Sequence, residues 1–582
     1  MDLLLIILVA VIAVAVVTVL AERLGVAGAL LLVALGLGIS LLPFVDMPEI
    51  DPEWILIGVL PPLLYAASVR LPAIEFRRDF PPIAGLAIIL VVVTALILGW
   101  FFSLVLPDVG FALGIALGAI LSPTDAVATG ITKRLGITPR VVTLLEGESL
   151  LNDATALVLL RTALLAVAAG TFSMGSAVGS FAWGVVVAVV IGAVLGLLAM
   201  RLRAWIHASP ASTAIGFTVP FLAYIPTEHL GGSGLVAAVV AGLVAGQGAQ
   251  RWFTPEQRLS DEVNWKTVEL VLEGGIFLIM GLELKQIVMD VVNRHEGIAL
   301  ATGVALAALA IVLVVRAAYV TLLIWFQSRQ ARKRQAISRE RLQAIDARLD
   351  QMEVQAWTPP AGTPERLARV STERAQRRLG VMRDRVARTL ADFDYYQSSP
   401  LGWKHGTVIV WAGMRGVVTL AAAQTIPHSV EDRPVLVYIA FLVAVISLMM
   451  QGFSLPALVR ALKIERPTAE DGEGERARLD EELRLAAASA LLDPALTRRD
   501  GSPFDRALLE KMGRRFTQPP DDEATAVAVD LLELRLALIR TMRDRLVAVT
   551  SGGAYSSATL RHTMAELDAD QLSIELRLRS DD

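Results

Sequence analysis

The sequence predicts an all-α polytopic membrane protein, and three observations carry that class. Hydrophobic residues make up 54% of the 582-residue chain and charged ones only 19%, with a mean hydropathy of +0.58. The apolar residues come in long blocks, and the roughly 20 residues that a spanning helix needs fit about thirteen times before residue 465. Two of those blocks are broken in their middles by "LSPTDAVATG" and "WAGMRGVVTLAAA", each of which also carries a charge.

In order, the first segment (2–20) opens "MDLLLIILVAV", without the basic start and small-residue cleavage pattern of a signal peptide, so it is expected to stay in the mature chain. Segments two to four (27–43, 53–70, 82–106) are apolar runs, and segment five (110–132) holds the first break. Segment six (141–168) contains "EGESLLNDATALVLL", a polar run inside an apolar helix. Segments seven to eleven follow at 178–200, 211–226, 231–249, 265–287 and 297–327, then twelve (403–426), with the second break, and thirteen (433–459). Small residues four apart, such as Gly110, Gly114 and Gly118, or Gly192 and Gly196, let neighbouring helices approach closely.

Threading the segments alternately from an outside N-terminus puts Arg70, Arg77, Arg78, Lys133, Arg134, Arg140, Arg201, Arg203, Arg251 and Arg258 on the cytoplasmic side. The opposite loops, such as "VDMPEID" and "PTEHLGGSG", are acidic or nearly uncharged, which the distribution of positive charge in membrane proteins favours. The expected location is the cell membrane, multi-pass, with a cytoplasmic C-terminus. Four regions result: segments one to eleven (1–327), a cytoplasmic helical insert (328–401), segments twelve and thirteen (402–462) and a cytoplasmic helical C-terminal domain (463–582). The insert begins "RQARKRQAISRERLQAIDARLD", a basic start suited to anchoring beside lipid headgroups. Amphipathic tail segments such as "AVAVDLLELRLALIRTMRDRLVAV" suit helix pairing, within the tail or with a second subunit, in a packing or regulatory role.

Several classes of function are excluded. The chain has no cysteine, which removes disulfides, thiolate metal sites and cysteine nucleophiles. No G-x-x-x-x-G-K-[ST] phosphate loop occurs, which argues against ATP-driven transport within the chain. The net charge of -4 sums basic loops and a mixed-charge tail, and carries no nucleic-acid signal. Neither an enzyme activity nor a cofactor is expected.

The chemistry lies in the breaks. Pro123 cannot donate to the helix ladder, and Gly413 with Gly416 weakens the helix around Arg415. Segment five is the fifth of an early group of six and segment twelve the fifth of a late group of six, with segment seven between them. Interrupted helices at matching positions of two halves point to an inverted-repeat transporter with its site near the midplane. Asp125 is placed to balance positive half-helix N-termini and Arg415 negative C-termini. Ordinary kinks are the alternative, disfavoured because each break carries a charge that lipid penalises.

On a helix, Glu148 with Asn152 and Ser149 with Asp153 form two adjoining polar stripes. With Thr124 and Asp125 from the first break, the polar face of segment six offers enough oxygens to surround a small hard cation, the alternative being a structural polar network. Arg316, in "AIVLVVRAAYVTLLIW", needs a carboxylate partner facing the bundle interior, and Glu148 is the candidate. Glu269 and Glu273 line a pathway or are structurally paired.

These residues resemble the monovalent cation:proton antiporter family, in its sodium/proton exchanger branch with an Asn-Asp pair. The motifs are "LSPTDAVA", "EGESLLNDATALV", "GIFLIMGLEL", the membrane Arg316 and "GMRGVVTLAAA", in family order across about residues 1 to 460, while the insert and tail look like those of bacterial members. The resemblance implies a homodimer, two crossed discontinuous helices in a mobile core domain, and a comparatively fixed dimerisation domain. It implies that Asp153 exchanges proton and cation, that Thr124, Asp125, Ser149 and Asn152 complete or support the site, that Glu148 and Arg316 form a buried ion pair, and that Arg415 is the arginine of the second crossed helix. One departure is Ala66, in "LPPLLYAAS", where some archaeal relatives carry a glutamate.

The expected activity is exchange of sodium, or lithium, for protons by competition at Asp153, whose pKa burial would have to raise well above about 3.9 for this to work near neutral pH. Because Asn152 adds no charge, one cation for one proton is the simplest balance, and exchange is expected to be electroneutral. A potassium/proton antiporter is the nearest alternative; a cation channel or a membrane sensor stands further off.

Overall fold

The computed structural model describes residues 2–42, 53–335 apart from 107, 126, 170–173, 207 and 294–297, residues 400–464 apart from 428, and shorter runs elsewhere, including 395–396, 532–539 and 557–578. The insert expected over 328–401 lies mostly outside the described residues, as does the basic run beyond residue 335. The chain forms two compact units, Met1–Arg466 and Pro467–Asp582.

Among the described residues of the first unit, the regular structure is all helical. Helices α1 (Asp2–Leu24) and α2 (Gly28–Ser40) are followed by a π-helical turn (Trp54–Val59) that runs into α3 (Leu60–Arg70). Pro61 and Pro62 at the start of α3 lack the N–H groups an α-helical ladder would need there. Short helices α4 (Ala73–Arg78) and α5 (Phe80–Ala84) lead through a second π-helical turn (Gly85–Ile89) into α6 (Leu90–Val105). Next come α7 (Phe111–Ile120), α8 (Val127–Arg134), α9 (Pro139–Ala169), α10 (Met174–Trp205), α11 (Ser209–His229), α12 (Gly234–Trp252), α13 (Pro255–Asn293) and α14 (Ile298–Gln335). The unit closes with α15 (Trp403–Trp411), α16 (Val417–Gln424) and α17 (Arg433–Leu462).

Six helical stretches are long and apolar enough by themselves to cross a membrane, among the described residues: Ile6–Leu24, Phe80–Val105, Pro139–Val167, Gly179–Trp205, Ile298–Arg329 and Arg433–Leu462. Other expected segments are shorter apolar helices, such as Gly28–Ser40 and Gly234–Ala249, the 21-residue α11, which carries Pro220 and Pro226 inside it, or the two broken helices, whose halves are each too short to span. Expected segment ten is the core of a much longer rod, the 39-residue α13, whose polar ends extend beyond the apolar block.

Close helix approach uses the small residues. A Cβ at Gly114 would lie 2.6 Å from the Gly99 carbonyl, and one at Gly118 2.6 Å from that of Ala95, so α7 packs backbone to backbone on α6. Gly196 meets Ala241 in the same way across α10 and α12. Large apolar side chains on α10, including Trp183, Val190 and Leu198, stay exposed, as expected for a surface that meets lipid rather than water.

At the end of the bundle where the basic connections lie, a buried pair fastens several helix ends. Asp79, fully buried between α4 and α5, accepts hydrogen bonds from the Arg140 guanidinium of α9 at 3.0–3.2 Å and from the Tyr395 hydroxyl at 2.8 Å. Burial and the Asp79 carboxylate push the Tyr395 phenol above its ordinary pKa, so it remains the donor. In the second unit, Arg535 and Asp570 pair at 3.0 Å and Ile539 and Ile574 are buried, which joins the run 532–539 to α18 (Ser557–Leu578).

Candidate functional site

Both sequence breaks are real interruptions. Residues 121–125 separate α7 from α8, and residues 412–416 separate α15 from α16. They meet: the Asp125 N–H donates to the Met414 carbonyl at 2.7 Å, and Arg415 Nε donates to the Leu121 carbonyl at 3.0 Å. Each break exposes carbonyls at one half-helix end and N–H groups at the other.

The charges sort onto those ends by sign. Asp125 Oδ1 accepts from the Val127 N–H at 3.1 Å at the start of α8, and its carboxylate also lies against Gly416, where α16 begins. One carboxylate therefore faces two helix N-termini. Arg415 lies at the C-terminal end of α7, bonded to Leu121 and to the Gly413 carbonyl, while its own N–H donates to Ser447 Oγ at 3.0 Å. Arg316 does the same for α15, donating to the Ile409 carbonyl at 3.0 and 2.9 Å. The sequence offered no sign of this second task of Arg316. The two glycines of "GMRG" leave room for it: a Cβ at Gly413 would run into the Arg316 guanidinium, and one at Gly416 into the Asp125 carboxylate.

The polar stripes of α9 face different surroundings. Glu148 meets Arg316 in a two-pronged ion pair, Arg316 Nη2 to Glu148 Oε2 at 2.8 Å, with both residues 1% exposed. Asn152 donates to Thr124 Oγ1 at 2.6 Å and, with Glu148, Arg316 and Arg415, lines a small internal void of about 10 Å³. Ser149 donates to the Thr124 carbonyl at 2.8 Å, tying α9 to the first break.

Thr124, Asp125, Ser149 and Asp153 line a separate cavity of about 630 Å³. Asp153 is buried, and its Oδ1 has no hydrogen-bond partner among the described residues. An anionic oxygen that protein leaves unsatisfied inside a cavity suits a cation or a proton. The structure thus brings the four proposed ligands to one wall and turns Asn152, Glu148, Arg316 and Arg415 behind it. Ala66 is fully buried in an apolar cluster with Tyr65 and Ala188 and is not part of the cavity wall, whereas Ala67 is.

The cavity runs toward the basic end of the bundle, past ion pairs that join Arg70 to Glu269 and Lys133 to Glu146. Neither pairing was legible in the sequence, because its members come from different helices. In the other direction along α9, eight residues past Asp153, Arg161 pairs with Glu228 of α11, whose second oxygen accepts from the Gly234 N–H at 2.9 Å. Glu283 of α13 is bonded by the Gln424 side chain at the end of α16. The cavity thus opens toward the basic end, and neither of these two links lines it.

The family model described as "Sodium/hydrogen exchanger, transmembrane" matches residues 7–342 and 385–461. The Mycobacterium tuberculosis protein named "Uncharacterized Na(+)/H(+) exchanger Rv2287" is 27% identical over 98% of this chain and 96% of its own length. The Escherichia coli protein named "Uncharacterized Na(+)/H(+) exchanger YjcE" is 29% identical over 89% of each. Among solved structures, the sodium proton antiporter MjNhaP1 of Methanocaldococcus jannaschii at pH 8 has a similar fold, with a TM-score of 0.55 and 18% identity over 80% of this chain and 99% of that one.

Proposed function

The chain belongs to the sodium/hydrogen exchanger family, whose members are membrane transporters and not enzymes, and from that premise we propose that it exchanges sodium for protons by competition at Asp153. The observation that carries the reading is the buried Asp153 oxygen, unpartnered among the described residues, in the wall of a cavity beside two interrupted helices that meet. Asp153 holds either a proton or a dehydrated cation, and Thr124, Asp125 and Ser149 supply further oxygens. Asn152 holds Thr124 in place, and the Glu148–Arg316 pair and Arg415 fix the half-helix ends behind it.

In this reading about thirteen segments cross the membrane in two inverted repeats, with the two broken helices crossing at their breaks. The N-terminus lies outside, and the insert and tail are cytoplasmic. The basic-end cavity is then the cytoplasmic approach, and the Arg161–Glu228 and Glu283–Gln424 links close the outer side, so the chain stands facing inward. Carriers of this kind work by alternating access, with one side closed while the other is open. A homodimer, with the exposed apolar faces partly covered by a second copy, completes the arrangement.

The test is proton movement in proteoliposomes with an imposed pH gradient and sodium, lithium or potassium added in turn. The purified protein should dissipate the gradient on adding sodium, and Asp153→Asn should abolish the response while remaining folded. Retained sodium-dependent proton movement in that variant would remove Asp153 from its role, and a response confined to potassium would change the cation.

A further inference from the structure

Resting on the antiport reading, we propose that Glu273 is a cation-recruiting carboxylate on the cytoplasmic approach, holding the incoming cation before it reaches Asp153. Glu273 lies on α13, in the wall of the cavity that contains Asp125 and Asp153, and within electrostatic reach of Asp125. The site proper is built from the two breaks and α9; Glu273 comes from a different helix and faces it across the cavity.

Its neighbours distinguish it from a structural carboxylate. One helical turn earlier on α13, Glu269 is neutralised by Arg70. Glu146 is neutralised by Lys133, and Lys266 by Glu262 at 2.7 Å. Glu273 has neither a hydrogen bond nor an ion pair among the described residues, and Arg70, the guanidinium within electrostatic reach of it, is engaged by Glu269. The mouth pairs cancel one another, Glu22 and Arg134 contribute one charge of each sign to the same lining, and Glu273 adds a carboxylate on the way to Asp153. A carboxylate in a cavity wall raises the local concentration of cations and the rate at which they arrive. A carboxylate on the way in also lets the cation shed its water in two stages.

The test uses inside-out membrane vesicles, whose outer face is the cytoplasmic one, with sodium added outside and proton movement followed. Glu273→Gln should raise the half-saturating sodium concentration about tenfold, the size expected for losing one charge several ångströms away across partly solvated protein. The maximal rate should stay within about twofold, and Glu273→Asp, which keeps the charge, should recover most of the affinity. If Glu273→Gln does not reach the membrane, Arg70→Gln carries the test: it frees the Glu269 carboxylate beside the path and should lower half-saturation several-fold. Unchanged half-saturation, or a loss of maximal rate alone, overturns the inference. A wild-type protein that moves no protons with any cation, alongside a silent Asp153→Asn control, would instead overturn the antiport reading beneath it.

Discussion

Arg316 combines two duties that are hard to separate in the folded protein. Its guanidinium neutralises Glu148 and closes the carbonyl end of α15. Arg316→Ala should strand a buried carboxylate and destabilise the protein by about 3–5 kcal/mol, seen as a lower Tm in detergent, and adding Glu148→Gln should restore part of that loss. A Tm unchanged by the single variant would mean that water reaches Glu148. Gly416→Ala should abolish exchange with little loss of fold, because the new methyl group competes for space with the Asp125 carboxylate; undiminished transport by that variant would show that Asp125 has room to retreat. At this scale the sequence was informative where a residue had few options. An arginine in an apolar run needs a carboxylate, and Glu148 was within reach of the site. It could not tell which polar stripe of α9 faces the cavity. Glu148 with Asn152 and Ser149 with Asp153 share the same spacing, and only the placement of α14 and the first break decides between them.

The two broken helices were legible as elements because proline and paired glycines are local signals. The closures were not. Arg161 and Glu228 are 67 residues apart and Glu283 and Gln424 are 141 apart, and no periodicity links residues on separate helices. The absence of native cysteine makes these closures accessible to experiment. Arg161→Cys with Glu228→Cys, joined by a short thiol-reactive linker, should stop exchange by holding α9 against α11, whereas the unlinked double variant should still transport. Transport by the linked protein would show that α9 and α11 need not separate. The insert is an element of another kind: its described end, Tyr395 and Tyr396, bonds Asp79 and the Arg78 carbonyl at 2.8 and 2.6 Å. That ties the approach to α15 to the helix ends around α9, a connection that composition alone could not reveal.

For the whole molecule, the fold class and the count of apolar blocks followed from composition, while the contrast between six long spans and the shorter or interrupted helices emerged only in three dimensions. Behind the ion wall, Glu148 and Arg316 cancel and Asn152 adds no charge, so a cycle carrying one sodium in and one proton out at Asp153 moves no net charge. Each net charge would otherwise exchange about 2.3 kcal/mol with the field per 100 mV. Imposing a potassium diffusion potential on proteoliposomes should therefore leave the exchange rate unchanged within about twofold, and acceleration or reversal by voltage alone would refute one-for-one exchange.

The length of α13 bears on how tightly the two gradients are coupled. At 39 residues it is a rod of roughly 58 Å, and it carries Glu273 in the cavity wall and Glu283 in the link to Gln424. Those two carboxylates are ten residues apart on one continuous helix, so the wall of the approach and the bridge over the far side share a rigid reference. In the proposed cycle, motion of the broken helices past that rod would loosen one end as it engages the other. Without a moment when both ends stand open, sodium would have no short circuit around the proposed exchange, and the stored gradient would be spent only on moving protons.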